Sequence, residues 1–463
     1  MTDLIVTGGE RLVGEIRPSA NKNAILPILC STLLSQEPIR IRRVPEISDV
    51  KQIIEFFKKL GSVTSVDFDK EILDIHHANV NTDDGGVELP KGIRSSIMLV
   101  PPLLHRFGYA RLSQDIKGCT LGAREIDPHI DVLVKFGAAV LRTEAGIEIF
   151  LRNGFHGVDH WLEYASVTAT ENFLMCAALA KGVSTLTNAA CEPHVQEFCR
   201  FLEMMGADID GIGTSRLTVR GVEGFSGGEV TLTEDFHEVT TFLALGAITG
   251  GAVKVQNSQP EHFPLIDRVF QKFGVNVVHS NGFSSVEVTQ KLAVRQPFTS
   301  HILQRVEAAP WPYLSVDLLP IFVALGVQSE GCAMFWNKVY DGAFGWCGEL
   351  SKFGAHVVLC DPHRLITFGG KPLTPAVVES PYIIRVAISL LMIAASIPGT
   401  STILNATPIQ RAHPRFVENL CSLGINAKWE DNGGEESAKR TAGMESLCDV
   451  RPQAVSQTAQ QGK

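Results

Sequence analysis

A short loop in the second quarter of the chain carries the residues best suited to chemistry. Cys119 lies between Gly118 and Gly122, and Lys117 and Arg124 flank it on either side. Neighbouring cations favour the thiolate, so this pattern predicts a reactive cysteine. The loop lies in a stretch of 23 residues, whereas the corresponding stretches elsewhere in the chain span 17 to 19. Inserted loops often carry function, and we therefore interpret Cys119 as a functional residue.

A second set of polar residues lies just before, or within the first turn of, strongly apolar segments. A buried helix has unsatisfied N–H groups and a partial positive charge at its N-terminus, so several converging ends would bind an anion. Five cations would make such a cleft strongly positive in an acidic protein: Lys22, Arg94, Arg124, Arg385 and Arg411. The polar residues at these starts are Lys22, Asn23, Arg94, Ser166 to Thr168, Asp235, Glu238, Asp317 and Arg385.

The elements that would position these side chains recur along the chain. An apolar residue followed by glycine closes an amphipathic segment six times, at intervals of 68 to 80 residues. Only glycine adopts the left-handed conformation without a Cβ penalty, so each of these glycines is predicted to end a helix. The six are Gly61, Gly137, Gly206, Gly274, Gly354 and Gly424.

Each repeat is predicted to run helix, strand, helix, strand. The segment Val183–Thr187 alternates with a period of two, which is typical of a strand. The leading helix of a repeat is apolar nearly all round, which predicts burial on all sides. We therefore expect a symmetric α/β architecture with helices inside and sheets outside, and a doubly wound sheet is the alternative. The predicted leading helices are 24–34, 173–180, 242–248, 318–325 and 386–395.

Composition sets broad limits. The chain has 463 residues, which suggests about three domains from length alone. Its net charge of −9 argues against a general nucleic-acid coat, and 45% hydrophobic residues argue against wholesale disorder. No secretory signal, membrane-length apolar run or CxxC pair is found, which predicts a cytoplasmic chain that binds no membrane. The last residues, 431–463, are predicted to form a disordered tail.

Three motifs make the chain resemble the enolpyruvyl transferase family over about residues 1–428. They are Asn21–Pro27, the loop 118–124 with Asp127 and His129, and Asn188–Ala190 followed by Glu192. The resemblance implies a fold of two inside-out α/β barrel domains, each built of three repeats with buried helices and outer sheets. It implies a first domain at 22–233 and a second at 234–430, with residues 1–21 belonging to the second.

The resemblance also implies a reaction. An acceptor hydroxyl adds to C2 of phosphoenolpyruvate while C3 is protonated, and loss of phosphate leaves an enol ether. The implied substrates are small molecules, phosphoenolpyruvate and a uridine nucleotide, with no metal or organic cofactor and no nucleic acid. A monomer is expected.

The roles of individual residues follow from the same resemblance. Cys119 is the expected acid for C3, and Asp317 is the expected base for the acceptor hydroxyl. The expected phosphoenolpyruvate ligands are Lys22, Arg124, Arg385 and Arg411. The expected acceptor ligands are Asn23, Arg94, Asp127, Pro128, Ser166, Val167, Thr168, Asp317 and Val339.

Several positions depart from the family pattern and bear on the acceptor. Tyr164 stands where a lysine for the acceptor's diphosphate is expected, and Met98 where a tryptophan near the sugar is expected. Four further positions lose an expected charge: Cys191, Phe236 and Ala343 replace arginines, and Ile383 replaces an acid.

Three functions therefore stay open. The first is transfer to UDP-N-acetylglucosamine in peptidoglycan precursor synthesis. The second is transfer to another uridine nucleotide, such as UMP in nucleoside-antibiotic synthesis, which the changes at Tyr164 and Met98 favour. The third is a non-catalytic nucleotide-binding regulator, and the joint retention of Cys119, Lys22 and Asp317 argues against it.

Overall fold

The computed structural model describes residues 2–81, 89–113, 125–144, 146–288, 291–299 and 301–431. Cys119, Arg124 and the tail from residue 432 therefore lie outside the described residues. The α-helices of the described part are α1 (Lys22–Ser31), α2 (Ser48–Lys59), α3 (Val100–Phe107), α4 (Asp127–Lys135), α5 (Val167–Ala178), α6 (Pro193–Met205), α7 (Phe236–Ile248), α8 (Pro264–Lys272), α9 (Leu319–Gln328), α10 (Cys347–Lys352), α11 (Ile384–Ser396), α12 (Thr407–Ala412) and α13 (Phe416–Ser422).

Short strands alternate with these helices along the chain. They are β1 (Thr2–Gly8), β2 (Val13–Ile16), β3 (Ile39–Arg42), β4 (Val63–Asp67), β5 (Ile72–His76), β6 (Tyr109–Leu112), β7 (Ala139–Thr143), β8 (Gly146–Phe150), β9 (Asp159–Trp161), β10 (Val183–Thr187), β11 (Asp208–Asp210), β12 (Arg216–Arg220), β13 (Gly228–Thr231), β14 (Ala252–Gln256), β15 (Val278–Ser280), β16 (Phe283–Val286), β17 (Gln304–Ala308), β18 (Gly331–Asn337), β19 (His356–Asp361), β20 (Arg364–Gly369), β21 (Val377–Glu379), β22 (Gly399–Leu404) and β23 (Asn426–Asp431).

The leading helix of each repeat is buried as its composition predicted. All thirteen residues of α7 are buried, and α5, α9 and α11 are buried over most of their length. Helices α7, α9 and α11 contact one another. The first of the predicted helices is shorter than expected, because α1 ends at Ser31 and a 3-10 turn, Thr32–Leu34, continues it.

Within the described residues the strands form six small sheets, which rules out one doubly wound sheet there. The strand orders are β13-β3-β5-β4, β6-β8-β7, β11-β12-β10-β9, β15-β16-β14-β2, β17-β18-β20-β19 and β21-β22-β1-β23. Each four-stranded sheet joins one parallel edge pair to two antiparallel pairs, as β17 and β18 run parallel whereas β18, β20 and β19 run antiparallel. The same type of sheet thus recurs at the spacing of the sequence repeat, so each repeat corresponds to one sheet and its helices.

The first strand closes the chain on itself. Strand β1 pairs antiparallel with both β22 and β23, from Leu4 opposite Ile403 on one side and Trp429 on the other. Strand β13 likewise returns to pair in parallel with β3, nearly 190 residues earlier in the chain. In both sheets, therefore, strands that are hydrogen-bonded neighbours are far apart in the sequence.

The glycines after the second helix of each repeat have the predicted left-handed conformation. Their φ values run from 79° at Gly274 to 114° at Gly206. At Gly206 a Cβ would meet no atom within 4 Å, so the backbone conformation alone favours glycine there. The prediction of a glycine stop at these helix ends is confirmed.

Buried hydrophobic side chains form two clusters. The first runs from Ala20 to Leu232, and the second combines Leu4 to Ile16 with Phe236 to Ile425. Helix α7, whose start carries Asp235 and Glu238, begins where the chain passes from the first cluster to the second, near residue 234. No helix of the described part of the chain is long and apolar enough to span a bilayer.

Candidate active site

The start of α7 carries a buried acid and a histidine. Asp235 caps the helix, and its Oδ1 accepts hydrogen bonds from the backbone N–H of His237 (2.9 Å) and from the ring Nδ1 (3.0 Å). Burial alone would raise the pKa of Asp235, but the hydrogen bond from His237 and the charges of His237 and Arg385 outweigh it and lower the pKa. Asp235 is therefore an anion at neutral pH.

Arg385, at the start of α11, faces this acid. Its guanidinium lies 3.7 Å from Asp235 Oδ2 and 3.3 Å from His413 Nε2. A guanidinium can only donate, so Nε2 of His413 accepts and its Nδ1–H donates to Glu238 Oε2 at 3.1 Å. The ring of His413 thus lies between the guanidinium of Arg385 and the side chain of Glu238, and each of them engages one ring nitrogen. The side chain of Arg385 is only 11% exposed.

The other two expected phosphoenolpyruvate ligands in the described residues lie on segments joined to the same group. Arg411 is on α12, two residues before His413, and its buried Nε has no hydrogen-bond partner among the described residues. Lys22 is the first residue of α1 and is half-buried. The backbone N–H of Ser19, three residues earlier, donates to Glu238 Oε2 at 3.2 Å. Asn21 caps α1 by accepting from the backbone N–H of Asn23, the expected acceptor ligand.

Asp317, the expected base, lies in the 3-10 turn Val316–Leu318 that leads into α9. It is half-buried, and no hydrogen bond or ion pair holds its carboxylate among the described residues. The turn itself is held from α7, because Ser315 Oγ lies 3.2 Å from His237 Nε2. Asp317 thus lies on a fixed turn with a carboxylate that no described residue bonds, which suits a proton acceptor.

Glu192, at the start of α6, lies near Asp317. Burial, with the charge of Asp317 adding to it, raises the pKa of Glu192 to about 7. Its Oε1 accepts a long hydrogen bond from the backbone N–H of Trp311 (3.5 Å), and the thiol of Cys191 donates to the Trp311 carbonyl (3.3 Å). These two bonds tie α6 to the segment that precedes Asp317. Glu192 Oε2 is buried without a partner among the described residues.

A second group of expected ligands gathers around His129, in the first turn of α4. Asn172 on α5 donates to His129 Nδ1 (3.0 Å), so Nε2 carries the proton and donates to Thr168 Oγ1 (3.1 Å). Burial, together with the charge of Arg94, lowers the pKa of His129 to about 3. Asn172 also donates to the carbonyl of Ile97, in the 3-10 turn that starts at Arg94.

Several of the expected acceptor ligands lie on the elements that form this second group. Arg94 donates to the carbonyl of Glu125 at 3.2 Å, and Ser166 caps α5 by accepting from the N–H of Ala169 at 3.4 Å. Asp127 and Pro128 begin α4, and Val167 is the first residue of α5. Val339 is in the loop after β18, where its N–H donates to Asn337 Oδ1.

Tyr164 belongs to this second group. It is 47% exposed, and its pKa is raised by partial burial and by the charge of Glu125, with which it hydrogen-bonds. The charges of Arg94 and Asp127 also act on it. The residue that replaces the expected lysine therefore lies beside the expected acceptor ligands, and it brings a phenol where a cation was expected.

The sequence reasoning missed several residues of the site, among them Asn172, His237, Ser315, Trp311 and His413. A histidine two residues after a helix-capping acid was a weak signal for His237. No sequence signal pairs His413 with Glu238, because they are 175 residues apart. Among the described residues, no three His, Cys, Asp or Glu side chains are grouped so that they could hold a metal ion.

The sequence model of the EPSP synthase (3-phosphoshikimate 1-carboxyvinyltransferase) family matches residues 6–420. The chain belongs to this family of enolpyruvyl transferases. A relative called UDP-N-acetylglucosamine 1-carboxyvinyltransferase, from Borreliella burgdorferi, is 35% identical over 428 residues, covering 92% of this chain and 99% of its own. The protein of that name from Bradyrhizobium diazoefficiens is also 35% identical, covering 92% and 97%.

Solved structures agree on the fold of this enolpyruvyl transferase. The enolpyruvyl transferase NikO from Streptomyces tendae superposes with a TM-score of 0.81 at 22% identity, covering 93% of this chain and all of its own. EPSP synthase from Acinetobacter baumannii superposes with a TM-score of 0.74 at 16% identity, with the same coverage. The mixed α/β fold is therefore that of the family.

Proposed function

We propose that this enzyme transfers the enolpyruvyl group of phosphoenolpyruvate to a hydroxyl of a uridine nucleotide and releases phosphate. One observation carries the proposal: Arg385 and the segments bearing Lys22 and Arg411 converge on Glu238 through His413 and Ser19. Phosphoenolpyruvate carries a phosphate and a carboxylate, and several fixed cations at one place suit such a multiply charged anion.

The chemistry assigns a role to each group. The oxygen of the acceptor hydroxyl bonds to C2 of phosphoenolpyruvate while Asp317 takes the hydroxyl proton. Cys119 gives a proton to C3. The resulting tetrahedral adduct loses phosphate and a C3 proton, which restores the double bond as an enol ether. Lys22, Arg124 and Arg411 hold the phosphate, and Arg385 holds the carboxylate. Cys119 and Arg124 enter this scheme from the sequence, since they lie outside the described residues.

UDP-N-acetylglucosamine is the first candidate acceptor, because the relatives that align with nearly the whole chain are named for it. A simpler uridine nucleotide such as UMP is the second candidate, and the position of Tyr164 favours it. Tyr164 lies beside two carboxylates, Glu125 and Asp127, with Arg94 as the neighbouring cation. A second phosphate would meet more negative charge here than it would beside a lysine.

The test is phosphate release from phosphoenolpyruvate with UDP-N-acetylglucosamine, UDP, UMP and CMP as acceptors, followed by mass spectrometry of the product. We expect a product heavier by one enolpyruvyl group with at least one uridine nucleotide and none with CMP. If the folded protein released no phosphate with any of these nucleotides, the proposal would be contradicted. The regulator alternative would then remain.

We further propose the finer architecture that the family resemblance implies. Two inside-out α/β barrels, at 22–233 and at 234–430 with 1–21, would have the active site between them. The two hydrophobic clusters and the mutual contacts of α7, α9 and α11 support this division. We propose a monomer that works in the cytoplasm on small-molecule substrates.

A further inference from the structure

Glu238 is the most enclosed acid of the candidate site. It is the third residue of α7 and has no exposed surface. Its Oε2 accepts from His413 Nδ1 at 3.1 Å and from the Ser19 backbone N–H at 3.2 Å. Its Oε1 is buried without a hydrogen-bond partner among the described residues. Burying a carboxylate is costly, so its retention here calls for a reason beyond packing.

Through these two bonds, one carboxylate reaches three segments that carry cations. Ser19 precedes Lys22 by three residues at the start of α1, and His413 follows Arg411 by two at the end of α12. His413 also accepts from Arg385 on α11 at 3.3 Å. The segment that carries Lys22 is far in sequence from the two that carry Arg385 and Arg411, and within the described residues Glu238 is a group that they share.

His413 fixes the geometry between Arg385 and Glu238. It is only 2% exposed, and both ring nitrogens are engaged, so the ring cannot rotate without breaking a hydrogen bond. A direct ion pair would leave the guanidinium turned toward Glu238. The His413 ring instead accepts from Nη1 of Arg385, while Nη2 lies 3.7 Å from Asp235. The N–H groups of the guanidinium that these two contacts do not use can bind a ligand.

We propose that Glu238 and His413 are a positioning pair that holds the phosphoenolpyruvate cations in their binding arrangement before the substrate arrives. The proposal rests on the function proposed above. Long cationic side chains lose rotamer freedom on binding, and a pair that has already restricted them lowers that cost. The loss of the pair should therefore weaken phosphoenolpyruvate binding and leave the chemical step largely unchanged.

The experiment compares His413→Phe, which keeps ring size but loses both hydrogen bonds, with His413→Gln, which can accept from Arg385 and donate to Glu238. Glu238→Gln is the third variant, because it keeps an acceptor and removes the charge. The matched control is His279→Phe, which breaks a histidine–carboxylate pair elsewhere in the second half of the chain, the partly buried His279 on β15 with Asp267 on α8 at 2.9 Å. Steady-state constants for both substrates are measured, and thermal unfolding checks that each variant is folded.

We expect His413→Phe to raise the KM for phosphoenolpyruvate about tenfold or more, as the loss of order in two or three side chains would cause. The KM for the acceptor and kcat should change less than about twofold, His413→Gln should recover most of the loss, and His279→Phe should resemble the wild type. Unchanged phosphoenolpyruvate constants in His413→Phe and Glu238→Gln would overturn the positioning role and leave the proposed function standing. A wild-type protein that neither binds phosphoenolpyruvate nor releases phosphate from it would overturn both.

Discussion

At the scale of single residues, the site combines retained chemistry with changed surroundings. Asp317, Arg385 and Arg411 keep the types that the family resemblance implies, whereas Tyr164, Phe236 and Ile383 do not. Phe236 packs its ring against His237 and Trp311, with centroids 3.9 and 6.1 Å away, so the lost arginine is replaced by aromatic contacts. Asp235, next to it, is held instead by His237 and Arg385.

Cys119 provides the first prediction. Cys119→Ala should abolish phosphate release, because alanine cannot deliver a proton to C3, and Cys119→Asp should retain part of it, because a carboxylic acid can. Cys360→Ala is the control, since Cys360 is an exposed thiol elsewhere on the surface. Wild-type rates in Cys119→Ala would refute the acid role. Alkylation by the epoxide fosfomycin, which the family resemblance leads us to expect, would appear as a mass shift of the Cys119 peptide.

Arg411 provides the second. Arg411→Gln should weaken phosphoenolpyruvate binding by about 1.5–3 kcal/mol, the usual contribution of a hydrogen bond to a charged group. The control is Arg415→Gln, because Arg415 is more than half exposed and bonds Glu71 on the surface. Calorimetric titration with phosphoenolpyruvate measures both. Equal affinities for the two variants would mean that Arg411 is not a phosphate ligand.

Tyr164 provides the third, which concerns the acceptor. Tyr164→Lys should increase affinity for UDP-N-acetylglucosamine about tenfold, because it supplies a charge-assisted contact to the outer phosphate, and should leave UMP affinity nearly unchanged. Trp161→Lys adds the same charge at a 72% exposed position on β9 and should affect neither ligand. An equal gain for both nucleotides in both variants would show a general charge effect instead.

At the scale of elements, each repeat depends on a glycine that reverses the chain after its second helix. The glycine that follows within two residues of each of these helices adopts a φ value that a residue with a Cβ avoids. Because the next strand starts within a few residues, the turn also fixes the direction in which that strand enters its sheet. The repeat is thus specified locally, by residues adjacent in sequence.

Gly206 tests this point. Gly206→Ala should lower the free energy of unfolding by about 1–2 kcal/mol, because φ is 114° and only the backbone conformation resists a Cβ there. Gly348→Ala is the matched control, since Gly348 lies within helix α10 with open space around its Cβ position. It should be neutral or slightly stabilising. Urea unfolding measures both, and equal losses would indicate that left-handed strain is not the cause.

At the scale of the whole molecule, the two hydrophobic clusters meet at polar and titratable groups. Arg43 bonds Glu234 at 2.6 Å near the point where the chain passes between the clusters. Cys191 and Glu192, in the first half of the chain, bond the backbone of Trp311 in the second half. The protonation of such buried groups is linked to the stability of the fold.

Glu192 makes that linkage measurable. Its pKa is about 7 in the folded protein against 4.5 ordinarily, because it is buried. The native state keeps the proton to higher pH than the unfolded chain does, so stability is lost as pH rises from about 4.5 to about 7. The loss should approach 3 kcal/mol, roughly, for this one group.

Glu192→Gln should remove that part of the pH dependence, so its stability relative to the wild type should grow between pH 5 and pH 7. Glu330→Gln, at an exposed carboxylate paired with Lys291, should show a difference that is flat over this range. Urea unfolding at several pH values decides it. A flat difference for Glu192→Gln would mean that this carboxyl is ionised at neutral pH.

The sequence by itself determined the repeat, the buried helices and the candidate residues. These follow from local patterns: apolar residues all round a segment predict α7 and α11, and glycines at fixed intervals predict the turns. The motifs around Lys22 and Asp127 indicated the family for the same reason, since each is a run of neighbouring residues.

Only the tertiary structure decided how these residues are held. His413 meets Glu238 across 175 positions, and Cys191 meets Trp311 across 120. Such contacts depend on where six sheets and their helices place their ends, and no pattern among neighbouring residues encodes that arrangement. The sequence predicts where helices start, because capping and apolar patterning are local. The hydrogen-bond partners of the side chains at those starts are set by tertiary packing.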